Sequence, residues 1–262
     1  MRTGYSYDSV SRLLTVLHQA NDVILNPARY AYDANGNTLS DPSGKSYTWD
    51  FENRLTSVTV PGTGTTAFKY DPFSRRIEKI SPSFTSIFVY DSDNLLETLN
   101  ASGSEVASYT QTQKIDETLA ELRSSTTDYY QADGLGSITS LSTSAAALAN
   151  TYTYDSFGNT TASTGTLRNY FQYAGREFDS ETGLYFNRTR YYDPNLGRFI
   201  SEDSIGFKGG IDFYAYVNNR PINATDPTGL KPCGPDCTQA APLPSNSPVC
   251  DILRQRDLFR CE

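Results

Sequence analysis

The stretch Tyr32-Asp33-Ala34-Asn35-Gly36-Asn37-Thr38-Leu39 decides the fold, because its pattern returns along most of the chain. It reappears as Tyr154-Asp155-Ser156-Phe157-Gly158-Asn159-Thr160-Thr161. The opening aromatic–Asp pair occurs again at Tyr7-Asp8, Trp49-Asp50, Tyr70-Asp71 and Tyr90-Asp91, and Ala132-Asp133 occupies the corresponding place in a later unit. The period is close to 21 residues, and a fixed period between about 20 and 50 residues indicates a repeat architecture.

Each unit has the pattern of a β-hairpin. Alternating apolar and polar residues lead in, as in residues 67–70, and β-branched residues lead out, as in residues 55–60. The turn between them is rich in Asp, Asn, Gly and Ser, where Asp caps backbone amides and Gly or Asn takes a positive φ. Because one unit cannot bury its apolar face alone, units must stack, with each Tyr packed on the next repeat. We therefore predict an all-β fold with one continuous antiparallel sheet that spirals.

Two segments also carry a helical pattern. Ile115, Leu119 and Leu122 have helical spacing, but their flanks are of the extended type and the repeat period runs through them, which favours a strand. Residues 142–150 contain a run of alanines and form a second, weaker helical candidate.

Composition and charge exclude several classes of partner. The net charge of −8 at pH 7 argues against binding to nucleic acid or to an anionic membrane surface. No stretch approaches the roughly 20 apolar residues that a membrane span requires. The first residues enter a repeat directly without an apolar run, so we expect no signal peptide and a chain that starts within a longer array. The 19 tyrosines suit a thin sheet with one wet face.

A sharp change in composition follows Leu230. Residues 173–230 are dense in Gly, Pro, Tyr, Asp and Arg, and no cysteine precedes residue 231. We therefore predict three parts: a repeat segment at 1–172, a second domain at 173–230 and a variable tail at 231–262. The bond between Leu230 and Lys231 is the candidate point of separation.

The tail contains all four cysteines of the chain, Cys233, Cys237, Cys250 and Cys261. Four cysteines allow three disulfide pairings, and a short Pro-rich segment of this kind fits an oxidising destination. Two disulfides are the favoured interpretation, while free thiols and a four-cysteine zinc site stay open as alternatives. Outside that alternative no metal and no cofactor are expected.

The second domain carries a specific resemblance. The residues that carry it are Gly183–Pro194, Gly197–Asp203, Asn218–Asn223 and Asp226–Leu230. They resemble the RHS repeat-associated core domain, and the Tyr-Asp units resemble the YD repeats of the RHS family, which includes bacterial polymorphic toxins, toxin-complex C subunits and, more distantly, teneurins. The resemblance implies a β-sheet shell that encloses a variable C-terminal toxin. It also implies that the core domain closes the shell and cuts the chain after the terminal Leu, here Leu230.

The residues around this bond limit the chemistry of such a cut. His18 is the only histidine and lies far from the core domain in sequence, which argues against a Ser-His or Cys-His nucleophile. Lys231 follows the bond, whereas an intein-like shift needs Ser, Thr or Cys there. Two aspartates that share a proton remain, one acting as base toward water and the other as acid.

The resemblance places the functional positions on Arg190, Asp203 and Asp226. Arg190 would orient a carboxylate or the scissile carbonyl, a forked geometry for which Lys is poorly suited. Structural roles compete with each assignment: Asp226 before Pro227 can start a turn, Asp203 can cap a loop, and Arg190 can form an ordinary ion pair. The cut would be intramolecular and single-turnover, with no external substrate.

Two functions follow as expectations. The first is a shell and self-processing module of an RHS-type toxin-delivery protein, secreted or held at a bacterial cell surface through a specialised export system. Its partners would be its own C-terminal effector segment and the rest of a larger RHS shell, with a secretion-system component or an immunity protein as further candidates. The alternative is a cell-surface structural or glycan-adhesion repeat protein that is not cut.

Overall fold

The computed structural model describes residues 2–20 and 23–233, and almost all regular structure in them is antiparallel β-sheet. The predicted all-β fold is confirmed. The helices in these ranges are single 3-10 turns, Tyr173–Gly175, Gly206–Lys208 and Val217–Asn219. None of them is long or apolar enough to cross a membrane.

The repeat segment forms two sheets and not the single continuous sheet that we predicted. The first contains three strands, β1 (Arg2–Tyr7), β2 (Leu13–Ala20) and β3 (Val23–Arg29). The following strand is only two residues long and pairs onward along the chain, so the ladder is interrupted here. The backbone amide of Tyr30 still donates to the carbonyl of Leu14 at 3.1 Å, which keeps the two sheets in contact.

The second sheet contains fourteen strands, each antiparallel to the one before it in the chain. They are β4 (Ala31–Tyr32), β5 (Thr38–Ser40), β6 (Ser46–Trp49), β7 (Leu55–Val60), β8 (Gly64–Tyr70), β9 (Arg76–Ile80), β10 (Thr85–Asp91), β11 (Asn94–Leu99), β12 (Glu105–Gln111), β13 (Thr118–Arg123), β14 (Thr126–Ala132), β15 (Ile138–Thr143), β16 (Leu148–Tyr154) and β17 (Thr160–Thr164). The predicted succession of hairpins is confirmed.

The Tyr-Asp pairs have the structural roles that the sequence indicated, with one difference. The Oδ1 atom of Asp71 accepts hydrogen bonds from the amides of Phe73 and Arg75, both at 2.9 Å, and so closes the turn. The Tyr70 hydroxyl donates to the Leu55 carbonyl at 2.7 Å, fifteen residues earlier in the chain. Tyr32 and Tyr154 reach back in the same way to the carbonyls of Leu13 and Ile138, whereas we expected each Tyr to pack on the following repeat. Tyr90 differs, because its hydroxyl donates to Glu177 at 3.2 Å.

Neither of the two helical candidates forms a helix. The preferred strand in the first is confirmed as β13. The helical interpretation of residues 142–150 is wrong, because they comprise the end of β15, a turn and the start of β16. Asn150 and Tyr152 are buried while their neighbours are less so, which is the alternation of a strand with one covered face.

A third, four-stranded sheet packs against the buried face of the long sheet. Its strands are β18 (Glu177–Asp179), β19 (Leu184–Asn187), β20 (Arg190–Asp193) and β21 (Arg198–Phe199). Every residue of β19 and β20 is buried, so both of their faces are covered. In one cluster Leu55 and Phe68 of the long sheet pack with Leu184, Phe186 and Tyr191. This packing positions the residues that follow β19, β20 and β21.

Candidate functional site

Asp226 lies at the backbone of the bond between Leu230 and Lys231. Its Oδ1 atom accepts hydrogen bonds from the amides of Gly229 at 2.9 Å, Leu230 at 3.1 Å and Lys231 at 3.1 Å. The chain curls around this carboxylate because Gly229 has a φ of 75°, a conformation that glycine adopts without strain. The Lys231 nitrogen is the amide nitrogen of the predicted scissile bond, so one carboxylate oxygen contacts that bond directly.

Arg190, at the start of β20, joins both aspartates. Its Nη2 atom lies 2.9 Å from Oδ2 of Asp203 and 3.5 Å from Oδ2 of Asp226. Its Nε donates to the carbonyl of Gly229, and its Nη1 donates to the carbonyl of Phe213 at 2.9 Å. The structure therefore brings all three predicted residues together, although they are far apart in sequence.

Packing also holds the guanidinium of Arg190 in place. The guanidinium carbon lies 3.6 Å from the centre of the Phe199 ring, a cation–π contact from β21. Because Arg190 is only 4% exposed, these contacts replace those that water would make.

Asp203 follows β21, and its two carboxylate oxygens have different partners. One oxygen caps the loop, and the other faces Arg190. Its Oδ1 atom accepts a hydrogen bond from the amide of Ile205 at 3.0 Å, which is the loop cap that we considered as its structural role. Its Oδ2 atom faces Arg190 and closely approaches Gly209, where a Cβ atom would lie only 2.5 Å away. A glycine at position 209 is therefore required for this placement of the carboxylate.

Burial disfavours the charged form of all three groups. It raises the pKa of the Asp226 carboxyl above its ordinary value, although the Arg190 charge opposes this. It also raises the pKa of Asp203, where the Asp226 charge adds to the rise. Burial lowers the pKa of the Arg190 guanidinium. Two neighbouring carboxyls with raised pKa values retain a proton at a higher pH than an isolated aspartate does.

Asp203 also borders a cavity of about 470 Å³, which is large enough to admit water. The walls of this cavity include Thr189, Ser201 and Tyr70. The site is thus open on the side of Asp203, whereas Asp226 is 2% exposed.

The sequence did not predict that the β19–β20 turn and the repeats would contribute contacts to this site. Arg188 contacts the Oδ1 atom of Asp116 at 2.8 Å and the carbonyl of Asp93 at 2.9 Å, and it also donates to the carbonyl of Pro227. Its own φ is 55°, which is uncommon for a residue with a side chain. The two arginines of the Asn-Arg-Thr-Arg run were a visible signal, but no local pattern links Arg188 to an aspartate 72 residues away.

The chain leaves the site through a short backbone bridge. The amide of Cys233 donates to the carbonyl of Thr225 at 2.7 Å, and the amide of Thr225 donates back at 2.9 Å. These bonds close a loop that contains the predicted scissile bond. Cys233 takes part in a disulfide, while Cys237, Cys250 and Cys261 lie outside the described residues, so the pairing of the tail stays a prediction.

Comparison with known proteins identifies the family. The model of the teneurin YD-shell family matches residues 5–222. The chain belongs to the teneurin YD-shell family. The resemblance to RHS and YD-repeat proteins that the sequence indicated is thereby confirmed.

Relatives of this YD-shell chain include named toxins and nucleases. It is 34% identical over 236 residues to the tRNA3(Ser)-specific nuclease WapA of Bacillus spizizenii, covering 86% of this chain and 10% of that protein. It is 51% identical over 59 residues to the toxin protein Tse5 of Pseudomonas aeruginosa, covering 22% of this chain and 4% of that protein. The chain thus spans about one tenth of the length of the WapA relatives that it matches.

Solved structures support the same fold. The Tc holotoxin pore of Photorhabdus luminescens matches 91% of this YD-shell chain and 13% of its own chain, with a TM-score of 0.64 and 20% identity. At that identity the match establishes the β-shell fold.

Proposed function

We propose that this YD-shell chain is the shell and self-processing part of an RHS-type toxin-delivery protein, and that it cuts itself between Leu230 and Lys231. One observation carries the proposal: a buried carboxylate, Asp226, contacts the amide of that bond and shares Arg190 with a second carboxylate. A turn-forming aspartate alone would need neither the second carboxylate nor the buried arginine.

The arrangement supports hydrolysis by an aspartate pair with one shared proton. Asp203 lies closer to Arg190 and borders the cavity, so it is the ionised base that takes a proton from water. As the water oxygen bonds to the Leu230 carbonyl carbon, the C–N bond breaks. In the uncut chain Oδ1 of Asp226 accepts three backbone amides, so the proton of this carboxyl is carried on Oδ2. Once the carbonyl carbon is tetrahedral and the Lys231 nitrogen has a free lone pair, Asp226 gives its proton to that leaving nitrogen. The products are a carboxyl group on Leu230 and an amino group on Lys231, and the shared proton has moved from Asp226 to Asp203.

The same proposal assigns roles to the three parts of the chain. Residues 1–172 form the shell wall, residues 173–230 the self-cutting core domain, and residues 231–262 the effector segment. Relatives named as a tRNA nuclease and as a toxin favour an effector in the tail position. The partners would be the effector segment and the rest of a longer shell, with a secretion-system component or an immunity protein as further candidates. The protein itself would be secreted or held at the bacterial cell surface.

Substitution of each aspartate tests the proposal. Asp203→Asn and Asp226→Asn should both leave an uncut chain of 29.0 kDa, because an amide can neither accept nor donate the required proton. Intact mass of the purified variants reads the outcome directly. Asp193→Asn is the matched control, since Asp193 is also a buried aspartate with a pKa raised by burial but lies outside the site.

The outcomes separate the two functions. Cutting in the control and in the unaltered chain, with none in the two site variants, supports self-processing. A single uncut species in every case contradicts the proposal and favours the structural or adhesion function. Equal cutting in all four chains also contradicts it, because neither site aspartate would then be needed. Cutting in Asp203→Asn but not in Asp226→Asn would indicate chemical breakage at the Asp226–Pro227 bond instead.

A further inference from the structure

The turn between β19 and β20, residues 187–190, bonds to residues 226–229, which precede the proposed scissile bond, in one-to-one order. Four successive residues each donate a hydrogen bond to one of four successive carbonyls. The pairs are Asn187 Nδ2 to Asp226 at 2.9 Å, Arg188 Nη1 to Pro227, Thr189 Oγ1 to Thr228 at 2.7 Å, and Arg190 Nε to Gly229. Each pair is 39 residues apart in the chain. We call residues 187–190 the register turn.

We infer that the register turn determines which bond is cut, by holding the backbone of residues 226–229 in one alignment. This inference rests on the proposed self-cleavage. The last carbonyl that the turn holds belongs to Gly229, so the next peptide unit along the chain is the one that joins Leu230 to Lys231. Asp226 fixes the same alignment from the other side, through the amides of residues 229–231.

The side chains next to the proposed cut contribute less to this alignment than the backbone hydrogen bonds do. Thr228 and Leu230 are only half-buried, so neither lies in a closed pocket that would select its type. Gly229 is the exception, because a Cβ atom there would lie 2.3 Å from the carbonyl oxygen of Asn187. The cut is therefore expected at the fourth residue after Asp226, whatever side chain that residue carries.

Arg188 holds the register turn on the repeats. It contacts Asp116 in the loop before β13 and the carbonyl of Asp93 in the turn before β11. Asp116 in turn contacts Arg176, which also donates to the carbonyl of Phe186 at 2.7 Å in β19. Residues 187–190 are thus positioning residues whose alignment depends on the shell wall.

The decisive experiment moves the bond relative to the register turn. An alanine inserted between Gly229 and Leu230 places that alanine fourth after Asp226, so the small fragment should begin at Leu230. An alanine inserted between Leu230 and Lys231 is the matched control, because there the cut should still follow Leu230. N-terminal sequencing of the small fragment reads the position.

Each outcome bears on the inference separately from the proposed function. If the unaltered chain and the control are cut but the first insertion yields a fragment that begins at Lys231, the leucine side chain selects the bond and the inference is wrong. If the first insertion alone stays intact, the inference is also wrong. If the unaltered chain itself is never cut, the proposed function fails and the inference fails with it.

A second variant tests one bond of the turn without changing the chain length. Thr189→Val keeps the shape of the side chain but removes its 2.7 Å hydrogen bond to the Thr228 carbonyl, which then keeps the 3.3 Å bond from the Thr189 backbone amide, so cutting should slow by about 3- to 10-fold. Minor fragments that begin one residue away from Lys231 should also appear, a change that a purely structural role would not cause. The control is Thr59→Val in β7, where the hydroxyl bonds to Thr65 on the neighbouring strand outside the site, and it should change neither. An unchanged rate and a single cut position in Thr189→Val would overturn the inference.

Discussion

Arg190 makes contacts that serve both the fold and the site. Its Nη2 atom joins two carboxylates, while its Nε and Nη1 atoms hold two backbone carbonyls and its plane covers Phe199. A lysine could satisfy only part of this arrangement, because its ammonium group is a single point charge. Arg190→Lys should therefore slow the cut at least about ten-fold and allow the uncut chain to be purified.

The pH dependence of the cut follows from the raised pKa values of Asp203 and Asp226. The reaction needs one proton on the pair, so the rate in the Arg190→Lys chain should fall as the pH rises through the higher pKa of the pair. It should fall again in acid once both groups are protonated, which gives a bell-shaped profile. The fraction cut, followed by mass after transfer of the purified chain to buffers of different pH, measures this profile. A rate that rises steadily into acid would indicate Asp-Pro breakage instead.

The raised pKa values of Asp203 and Asp226 also make the stability of the fold depend on pH. A carboxyl whose pKa is raised by folding binds its proton more tightly in the folded chain than in the unfolded chain. The free energy of unfolding that these two groups contribute therefore falls as the pH rises from the pKa of the carboxyl in the unfolded chain through its raised pKa in the folded chain.

At the scale of elements, strand β18 is attached to strand β9 by buried charges. Asp179 of β18 contacts Lys79 at 2.8 Å and also pairs with Arg76, and Glu177 contacts Arg76 at 2.6 Å. Arg76 is completely buried between the rings of Phe88 and Phe186. These contacts hold the sheet of β18–β21 on the long sheet.

Removal of one partner should be costly. Asp179→Asn leaves buried Arg76 with Glu177 and buried Lys79 with Glu181 as their remaining carboxylate partners. The free energy of unfolding should fall toward the lower end of the about 3–5 kcal/mol that a broken buried ion pair costs. Lys69→Met breaks an exposed pair with Glu78 and should cost about 0–1 kcal/mol as the control. Urea unfolding in the uncut Asp203→Asn background measures both, and equal effects of the two substitutions would contradict this role for the buried cluster.

The sequence predicts elements well where the signal is local. In most Tyr-Asp pairs the Asp bonds amides two and four residues ahead, as Asp71 does, so the hairpins could be read directly from the repeats. The run of alanines in residues 142–150 suggested a helix. Buried and less buried residues alternate instead through Asn150 and Tyr152, as in a strand. The buried cluster at Arg76 and the contact of Arg188 with Asp116 could not be predicted, because they join residues roughly 70 to 100 positions apart.

At the scale of the molecule, the long sheet ends at an exposed strand. All five residues of β17 (Thr160–Thr164) are exposed, and β17 is the terminal strand of the sheet. An unpaired edge of this kind is a site at which other chains can add. The isolated chain should therefore self-associate as its concentration rises.

A charge on that edge should reduce the association. Ala162→Lys places a positive side chain in the middle of β17, where it disfavours pairing with a second strand. Sedimentation of the unaltered chain and the variant over a range of concentrations measures the effect. An unaltered chain that stays monomeric throughout would contradict the expectation of an open edge.

The central claim is that the chain cuts itself after Leu230, and mass spectrometry of the freshly made chain with N-terminal sequencing of its small fragment tests it most directly. We expect a fragment that begins at Lys231 and a larger one that ends at Leu230, with neither fragment in the Asp203→Asn variant. A single species of 29.0 kDa from the unaltered chain, or a small fragment that begins at Pro227, would contradict the claim.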